Sequence, residues 1–414
     1  MASLTTPSRS RMGRLLRRGV ASSLLSLPIS LRTAAQVSAE ARWSSTVPKT
    51  RPKTAIFFPG QGVQRVGMTA DWLEAFPRTV KPFLDKIDET LQCDLSKIIT
   101  EGPNSKLTAT ENAQPAIMAT SIMILRVLEQ EFGFKTAERI DVTLGHSLGE
   151  FAALVAGGYL REEDAVRLVR KRAEVMARCS KEVAEEVGMV ALVCEADHLA
   201  AIVGSIHDFL GHTSEGSKTD SHIDTDEPPV QQVLIANVNA KNQIVLSGSI
   251  KRIDELLTHL RQFAGHDPRA VRLKSDSPFH SPLMMPAAEL MKKLLDQPSP
   301  TAKHEDVVVW PGLMPCISNV SARPFSTKQQ LKDLLARQCV ETVLWHDSIV
   351  HLHRDEKVRR WVGIGPGKVG RNLVGKEVGM KGAVKGGGVW GISDPREVEK
   401  ILKDLDTTES TEEE

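Results

Sequence analysis

The 414-residue sequence contains no unbroken apolar run of the length, about 18 residues or more, that a membrane-crossing helix needs. It has no paired cysteines either. Cys93, Cys179, Cys194, Cys316 and Cys339 are scattered and none stands in a C-x-x-C pair. Neither a metal framework nor a dithiol redox site is expected from them, only reduced, mostly buried thiols. Charge of one sign is also missing: 53 basic against 52 acidic residues leave a net charge of +1. That balance gives no argument for a nucleic-acid partner. One absence is local. Between residues 1 and 46 the only acid is Glu40, against Arg9, Arg11, Arg14, Arg17, Arg18, Arg32, Arg42 and many serines. An Arg-rich, Ser-rich, acid-poor start is the pattern of a mitochondrial transit peptide, with removal expected near residues 42–46. The apolar stretch Leu24-Leu25-Ser26-Leu27 is too short for a secretory signal.

Globular patterning begins at Thr54-Ala55-Ile56-Phe57-Phe58, which reads as a buried strand running into the turn Pro59-Gly60-Gln61-Gly62. A helix is expected from Ala116 to Phe132, a strand over Ile140–Leu144, and helices over Leu148–Gly157 and Glu162–Lys181. The last of these carries acids in its first turn, as the helix dipole favours. After Lys181 the texture changes. Gly188–Val193, Gln232–Asn237 and Gln243–Ser247 read as strands and Ile250–Phe263 as a helix, so a small α+β unit over 182–268 is expected inside a larger α/β domain made of 51–181 and 269–400. Segment 212–229 has almost no apolar residues and reads as a disordered surface loop. Arg269–Leu273, Met314–Ser318 and Trp361–Ile364 read as further strands, with a helix after Ser281-Pro282. Residues 405–414 form an acidic tail.

Gly145-His146-Ser147-Leu148-Gly149 lies between a strand and a helix. In that context G-x-S-x-G is a nucleophile elbow, a tight turn that lifts a serine hydroxyl above the sheet. The N–H of Leu148, at the helix start, is a natural oxyanion donor. The serine needs a base. His146 is adjacent and points elsewhere at a sharp turn. His207, His212 and His222 fall in or near the polar loop, and His351 and His353 read as surface residues. His280, in the proline-pinned Ser277-Pro278-Phe279-His280-Ser281-Pro282, is a candidate that spacing alone does not settle. On the helix 162–181, Val169, Arg172 and Met176 share one apolar face. An inward arginine is costly unless paired. Either it meets a structural carboxylate or it receives an anionic substrate.

Taken together, Phe58–Gly62, Gln114-Pro115-Ala116, Gly145–Glu150, Arg172, Asn237-Val238-Asn239, Gln243–Gly248, Phe279–Met284 and Gly363–Gly367 occur in the order and spacing of one family. Over residues 54 to 375 the chain resembles the malonyl-CoA:acyl-carrier-protein transacylases, and the leader suggests their mitochondrial form. The resemblance implies an α/β-hydrolase-like core with an inserted ferredoxin-like subdomain. It implies that Ser147 is the nucleophile and His280 its base, that the N–H groups of Gln61 and Leu148 form the oxyanion hole, and that Arg172 grips the malonyl carboxylate. Gln114, Met176 and Phe279 would line the acyl pocket. Its partners would be a CoA thioester and acyl carrier protein, with no metal or bound cofactor, and family habit favours a monomer in the mitochondrial matrix. Within Glu341–Trp345, where a backbone carbonyl would orient the histidine, Leu344 replaces a polar residue. Val183–Gly188 is shorter than in the family. Two other readings use the same motifs: a serine hydrolase such as a thioesterase, and a non-catalytic carrier-protein-binding module. The hydrolase normally orients its histidine with an acid, for which Asp276 is the only nearby candidate.

Overall fold

A computed structural model describes residues 51–210, 232–275 and 277–408. The leader 1–46, the segment 212–229 and Asp276 lie outside the described residues. So does the tail from 409 onward; residues 405–408 belong instead to the end of the last helix, where Leu405 is buried. The strands are β1 (Lys53–Phe58), β2 (Val142–Gly145), β3 (Val187–Val193), β4 (Leu234–Ala240), β5 (Gln243–Ser249), β6 (Arg269–Arg272), β7 (Val358–Ile364), β8 (Gly382–Val384) and β9 (Gly387–Ile392). Numbering only helices of eight residues or more gives α1 (Pro77–Leu91), α2 (Thr110–Glu131), α3 (Gly149–Ala156), α4 (Glu162–Lys181), α5 (Leu199–Phe209), α6 (Ile250–Gln262), α7 (Met285–Leu295), α8 (Lys328–Arg337), α9 (Val369–Val378) and α10 (Val398–Thr407).

The larger sheet has the order β2-β1-β7-β9-β8. The first four strands are parallel and β8 is antiparallel at the edge. Central strands covered on both faces read as unbroken apolar runs, and Ala55 to Phe58 are accordingly all buried. Register pairs Phe58 with Gly145, so β1 and β2 end side by side. Strand β2 starts two residues later than its apolar run suggests. Asp141 marks the change: its backbone N–H still donates to the Thr54 carbonyl at 2.9 Å, while its carboxylate accepts from the N–H of Thr54 at 2.8 Å and from Arg51 at 2.9 Å. Met314–Ser318 is not a strand of its own. Pro315 has no N–H to give, and the segment makes only isolated bridges, from Cys316 to Thr143 on β2 and from Ile317 to Pro324.

The smaller sheet, β4-β5-β3-β6, is antiparallel throughout. With α5 and α6 the chain order is β-α-β-β-α-β, the ferredoxin-like arrangement. Val190, Leu192, Ile244 and Leu246 of the sheet pack with Ile202, Ile206, Ile253 and Leu257 of the helices. Strand β6 pairs with β3, so Arg269–Arg272 belongs to this subdomain and the boundary expected at residue 268 moves beyond 272. Four alternating residues with no apolar run gave no sign of which sheet they would join.

Helix α2 begins six residues before the expected Ala116 and carries Pro115 inside it. Proline removes the N–H that would bond the carbonyl four residues back. That carbonyl belongs to Glu111, and Arg170 on α4 donates to it at 3.0 Å while also bonding Asn112 Oδ1 at 2.9 Å. A neighbouring helix thus repairs the gap, and the helix continues through the proline. Arg170→Ala is expected to destabilise the fold by about 1–2 kcal/mol. In a Pro115→Ala background the same change should cost less, because the restored N–H can serve the Glu111 carbonyl. Chemical denaturation of the four proteins measures the difference, and equal costs in both backgrounds would rule out the repair.

Candidate active site

The elbow follows β2 directly. Ser147 has a φ of 52°, the left-handed region that a non-glycine residue occupies only under restraint. Its glycines are sterically required: a Cβ on Gly145 would lie 2.0 Å from the backbone of Gly149, and one on Gly149 would lie 2.5 Å from the carbonyl oxygen of Phe58. Two side chains hold the turn. Asn319 Oδ1 accepts from the N–H of Ser147 at 2.7 Å and Asn319 Nδ2 donates to the carbonyl of Gly145 at 2.7 Å. Gln338 Nε2 donates to the carbonyl of Ser147 at 2.7 Å.

Ser147 Oγ lies 2.8 Å from His280 Nε2. The other ring nitrogen, Nδ1, is 2.7 Å from the backbone carbonyl of Gln338. A carbonyl oxygen only accepts, so Nδ1 carries the proton and Nε2 keeps its lone pair for the serine. The histidine is therefore oriented by backbone carbonyls, that of Gln338, three residues before the expected Glu341–Trp345 segment, and that of Glu341 within it. Leu344 has a backbone role instead: its N–H donates to the carbonyl of Asn319 at 2.8 Å. Burial pushes His280 down to about 3, with the positive charge of Arg172 as the next cause. It is neutral and ready to accept a proton at any pH near neutrality. His146 turns away and bonds Asn239 Oδ1 through Nε2 at 2.9 Å. His351, expected at the surface, is buried and pairs with Asp355 at 2.8 Å; His353 is half-buried.

Arg172 is 1% exposed. Its partners are two amide oxygens, Gln114 Oε1 at 2.7 Å and Gln338 Oε1 at 2.9 Å. Among the described residues no carboxylate pairs with it, and its Nε is buried without an acceptor. The face of Phe151 lies 5.8 Å from the guanidinium carbon. Gln114 continues the chain: its Nε2 donates to Gln61 Oε1 at 3.3 Å and reaches Met176 Sδ at 3.8 Å. Gln61 and Leu148 bring N–H groups that have no acceptor among the described residues, whereas the Ser147 N–H is taken by Asn319. Phe279 is buried beside His280. The structure thus brings Ser147, His280, Arg172, Gln114, Gln61 and Met176 into one connected network. A cavity of about 770 Å³ lined by Arg371, Lys381, Trp390 and Lys400 contains none of them; chemistry, not cavity size, marks the site.

Three residues of the network escaped sequence reasoning. Gln338 could have been found, because Leu331, Leu334, Leu335 and Gln338 fall at i, i+3, i+4 and i+7 along α8 and its cap, the same inward stripe that exposed Arg172. Glu150 stands in an otherwise apolar helix start and is fully buried, accepting from Gln338 Nε2 at 2.6 Å and the N–H of Asn319 at 3.1 Å. Asn319 lies in a loop without periodicity and left no signal.

The depressed histidine makes a stability prediction. Below pH 6.5 an unfolded His280 is protonated while the folded one stays neutral, so the unfolded state binds more protons and stability falls as pH drops from 6.5 toward 3. His280→Gln should remove that loss, at most about 1.4 kcal/mol per pH unit. Urea denaturation of both proteins between pH 7 and 5 tests it; parallel stability curves would contradict the buried neutral histidine.

Residues 56–208 match the family model described as an acyl transferase domain. The malonyl CoA-acyl carrier protein transacylase of Bacillus subtilis is 38% identical over 353 residues, covering 85% of this chain and 97% of that protein. The crystal structure of the acyl-carrier-protein-S-malonyltransferase from Bartonella henselae matches with a TM-score of 0.69 at 31% identity, covering 86% of this chain and 99% of that one. A malonyl-transacylase in complex with its type II PKS acyl-carrier protein matches with a TM-score of 0.68 at 26% identity, covering 85% and 99%. With a buried arginine facing an oriented serine and histidine, and with relatives matched over nearly their full length, the chain belongs to the malonyl CoA-acyl carrier protein transacylase family.

Proposed function

We propose that this enzyme moves a malonyl group from malonyl-CoA to the phosphopantetheine thiol of acyl carrier protein, through an ester on Ser147, in the mitochondrial matrix. The observation that carries the reading is the buried Arg172, held by two amide oxygens, within one hydrogen-bond network of the Ser147–His280 pair. A guanidinium forks onto a carboxylate through two parallel bonds. Amide oxygens hold it in place without neutralising it, so its charge stays available to an anionic acyl group.

In the first half-reaction Ser147 Oγ attacks the thioester carbonyl carbon as its proton passes to His280 Nε2. The N–H groups of Gln61 and Leu148 receive the oxyanion. The C–S bond then breaks, and the departing CoA sulfur takes the proton from Nε2. In the second half the carrier-protein thiol gives its proton to Nε2 as its sulfur attacks the ester carbonyl carbon; the bond from that carbon to Ser147 Oγ then breaks, and Oγ takes the proton back from Nε2. Nucleophile, base and oxyanion donors all come from the chain, so the reading assigns no metal or cofactor. A histidine oriented by a carbonyl rather than by a carboxylate favours transfer over the hydrolase reading, and an assembled Ser147, His280 and Arg172 favour an enzyme over a binding module. The leader's composition supports the matrix assignment, and a reporter fused to residues 1–46 tests it by its import. A monomer is the assembly we assign, open to sedimentation.

Malonyl-CoA should leave a malonyl ester on Ser147, stable for minutes by intact mass and discharged when holo acyl carrier protein is added. Hydrolysis at the same rate with and without carrier protein would point to a thioesterase. Arg172→Ala should lower kcat/KM for malonyl-CoA by about 10–100-fold, the loss of a charge-assisted contact, and shift preference toward acetyl-CoA; an unchanged ratio of the two donors would refute the grip. The pH profile should be asymmetric. Arg172 lowers the basicity of His280, and a bound carboxylate cancels that effect, so the acid limb of kcat should lie at higher pH than that of kcat/KM.

A further inference from the structure

Glu150 has no part in the transfer chemistry described above, yet its carboxylate is fully buried behind the nucleophile. Two donors reach it, the Asn319 N–H and Gln338 Nε2. The same Gln338 amide accepts from Arg172 Nη2 through its oxygen. One amide therefore stands between a buried cation and a buried anion. Above about pH 8, where Glu150 is ionised, the two charges of the empty site balance. A malonyl carboxylate entering against Arg172 adds a second negative charge to a space from which water is excluded, where an uncompensated charge is strongly disfavoured.

We propose that Glu150 is the counter-charge of the acyl site: when a malonyl carboxylate pairs with Arg172, Glu150 takes a proton from solvent onto its carboxylate, so acyl loading and proton uptake are one event. The proposal rests on the acyl-transfer reading above. Glu150 acts as a positioning residue through Gln338 and does not touch the acyl group. Burial already lifts it to about 8, against the pull of Gln338, Asn319 and Arg172, so cancelling the Arg172 charge raises it further.

The other groups around it do not compete for the proton. Helix α3 packs on β1, β2, α2 and α4. The buried residues of β1, β2 and α2 include no charged side chain. On α4, Glu162 pairs with Arg126, and Asp164 accepts from Ser299 and Thr301. The Cys316 and Cys339 thiols feel Glu150, but burial raises both and keeps them neutral. His280 is held far below neutrality by burial.

The measurement uses whole enzyme and stoichiometric malonyl-CoA in weak buffer with a pH indicator, from pH 6.5 to 9, with the ester counted by intact mass. Loading releases free CoA, whose thiol partly ionises toward pH 9 and gives up protons equally with either donor, so uptake is read as the difference between malonyl-CoA and acetyl-CoA. Uptake should be small at pH 6.5 and become a large fraction of a proton per ester above pH 8. For a rise of about one pKa unit the loading equilibrium should weaken about fivefold between pH 7 and 9. Acetyl-CoA, which brings no carboxylate, should load without uptake, a contrast that needs no variant. Glu150→Gln should abolish both the uptake and the pH dependence while still forming ester. Malonyl ester without uptake overturns the proposal, as does equal uptake with acetyl-CoA or uptake that survives in Glu150→Gln. No ester at all refutes the acyl-transfer reading, and the proposal falls with it.

Discussion

The amide of Gln338 carries more of this active site than either reacting residue does. The backbone carbonyl of the same residue fixes the tautomer and direction of His280, the amide Nε2 braces the strained carbonyl of Ser147 and reaches Glu150, and the amide Oε1 holds Arg172. All of these groups need a fixed place, and each is expensive to bury alone. A serine in a left-handed turn stores strain, a neutral imidazole gives up its hydration, and a guanidinium brings a full charge into an apolar interior. One residue with two donors and two acceptors satisfies them together. Because the cap of α8 supplies that residue, the register of a helix outside the chemistry decides whether the nucleophile, the base and the anion grip face each other.

Asn319 complements it from the other side. By accepting from the N–H of Ser147 it removes the serine's own amide from the set of oxyanion donors and leaves that work to Leu148 and Gln61. The elbow is thus pinned by its backbone on both sides while its hydroxyl and the neighbouring N–H remain open. Rigidity and reactivity are divided among different atoms of the same turn.

Much of this was legible in the sequence, for reasons that can be named. The elbow announced itself because only glycine fits at 145 and 149. Arg172 was found because a charged residue on an apolar stripe breaks a periodic pattern. Of the two branches left open for it, the structural carboxylate is not found among the described residues, where two amide oxygens hold it instead. Gln338 obeys the same stripe and was overlooked because glutamine breaks the pattern less loudly than arginine. Asn319 could not be read at all, because a loop has no period, and an orienting carbonyl was reached only through the family resemblance, because every residue has one. The β-α-β-β-α-β insert was legible as a unit, but β6 was assigned to the wrong body because strand pairing is a long-range choice that four local residues do not encode. Helix α2 was cut short at Pro115 because the repairing donor sits on another helix, 55 positions further along the sequence.

The pairing of Phe58 with Gly145 has a further consequence. The two loops that carry the Gln61 and Leu148 N–H groups leave adjacent rungs of one parallel ladder. The bases of those two loops are therefore held at the inter-strand repeat, about 4.8 Å in any sheet. It is a ruler built into the backbone, indifferent to side-chain identity. Evolution or a designer can retune which acyl group enters by changing residues around Arg172. The gauge of the hole that receives the reacting oxygen is retuned only by altering how the strands themselves leave the sheet.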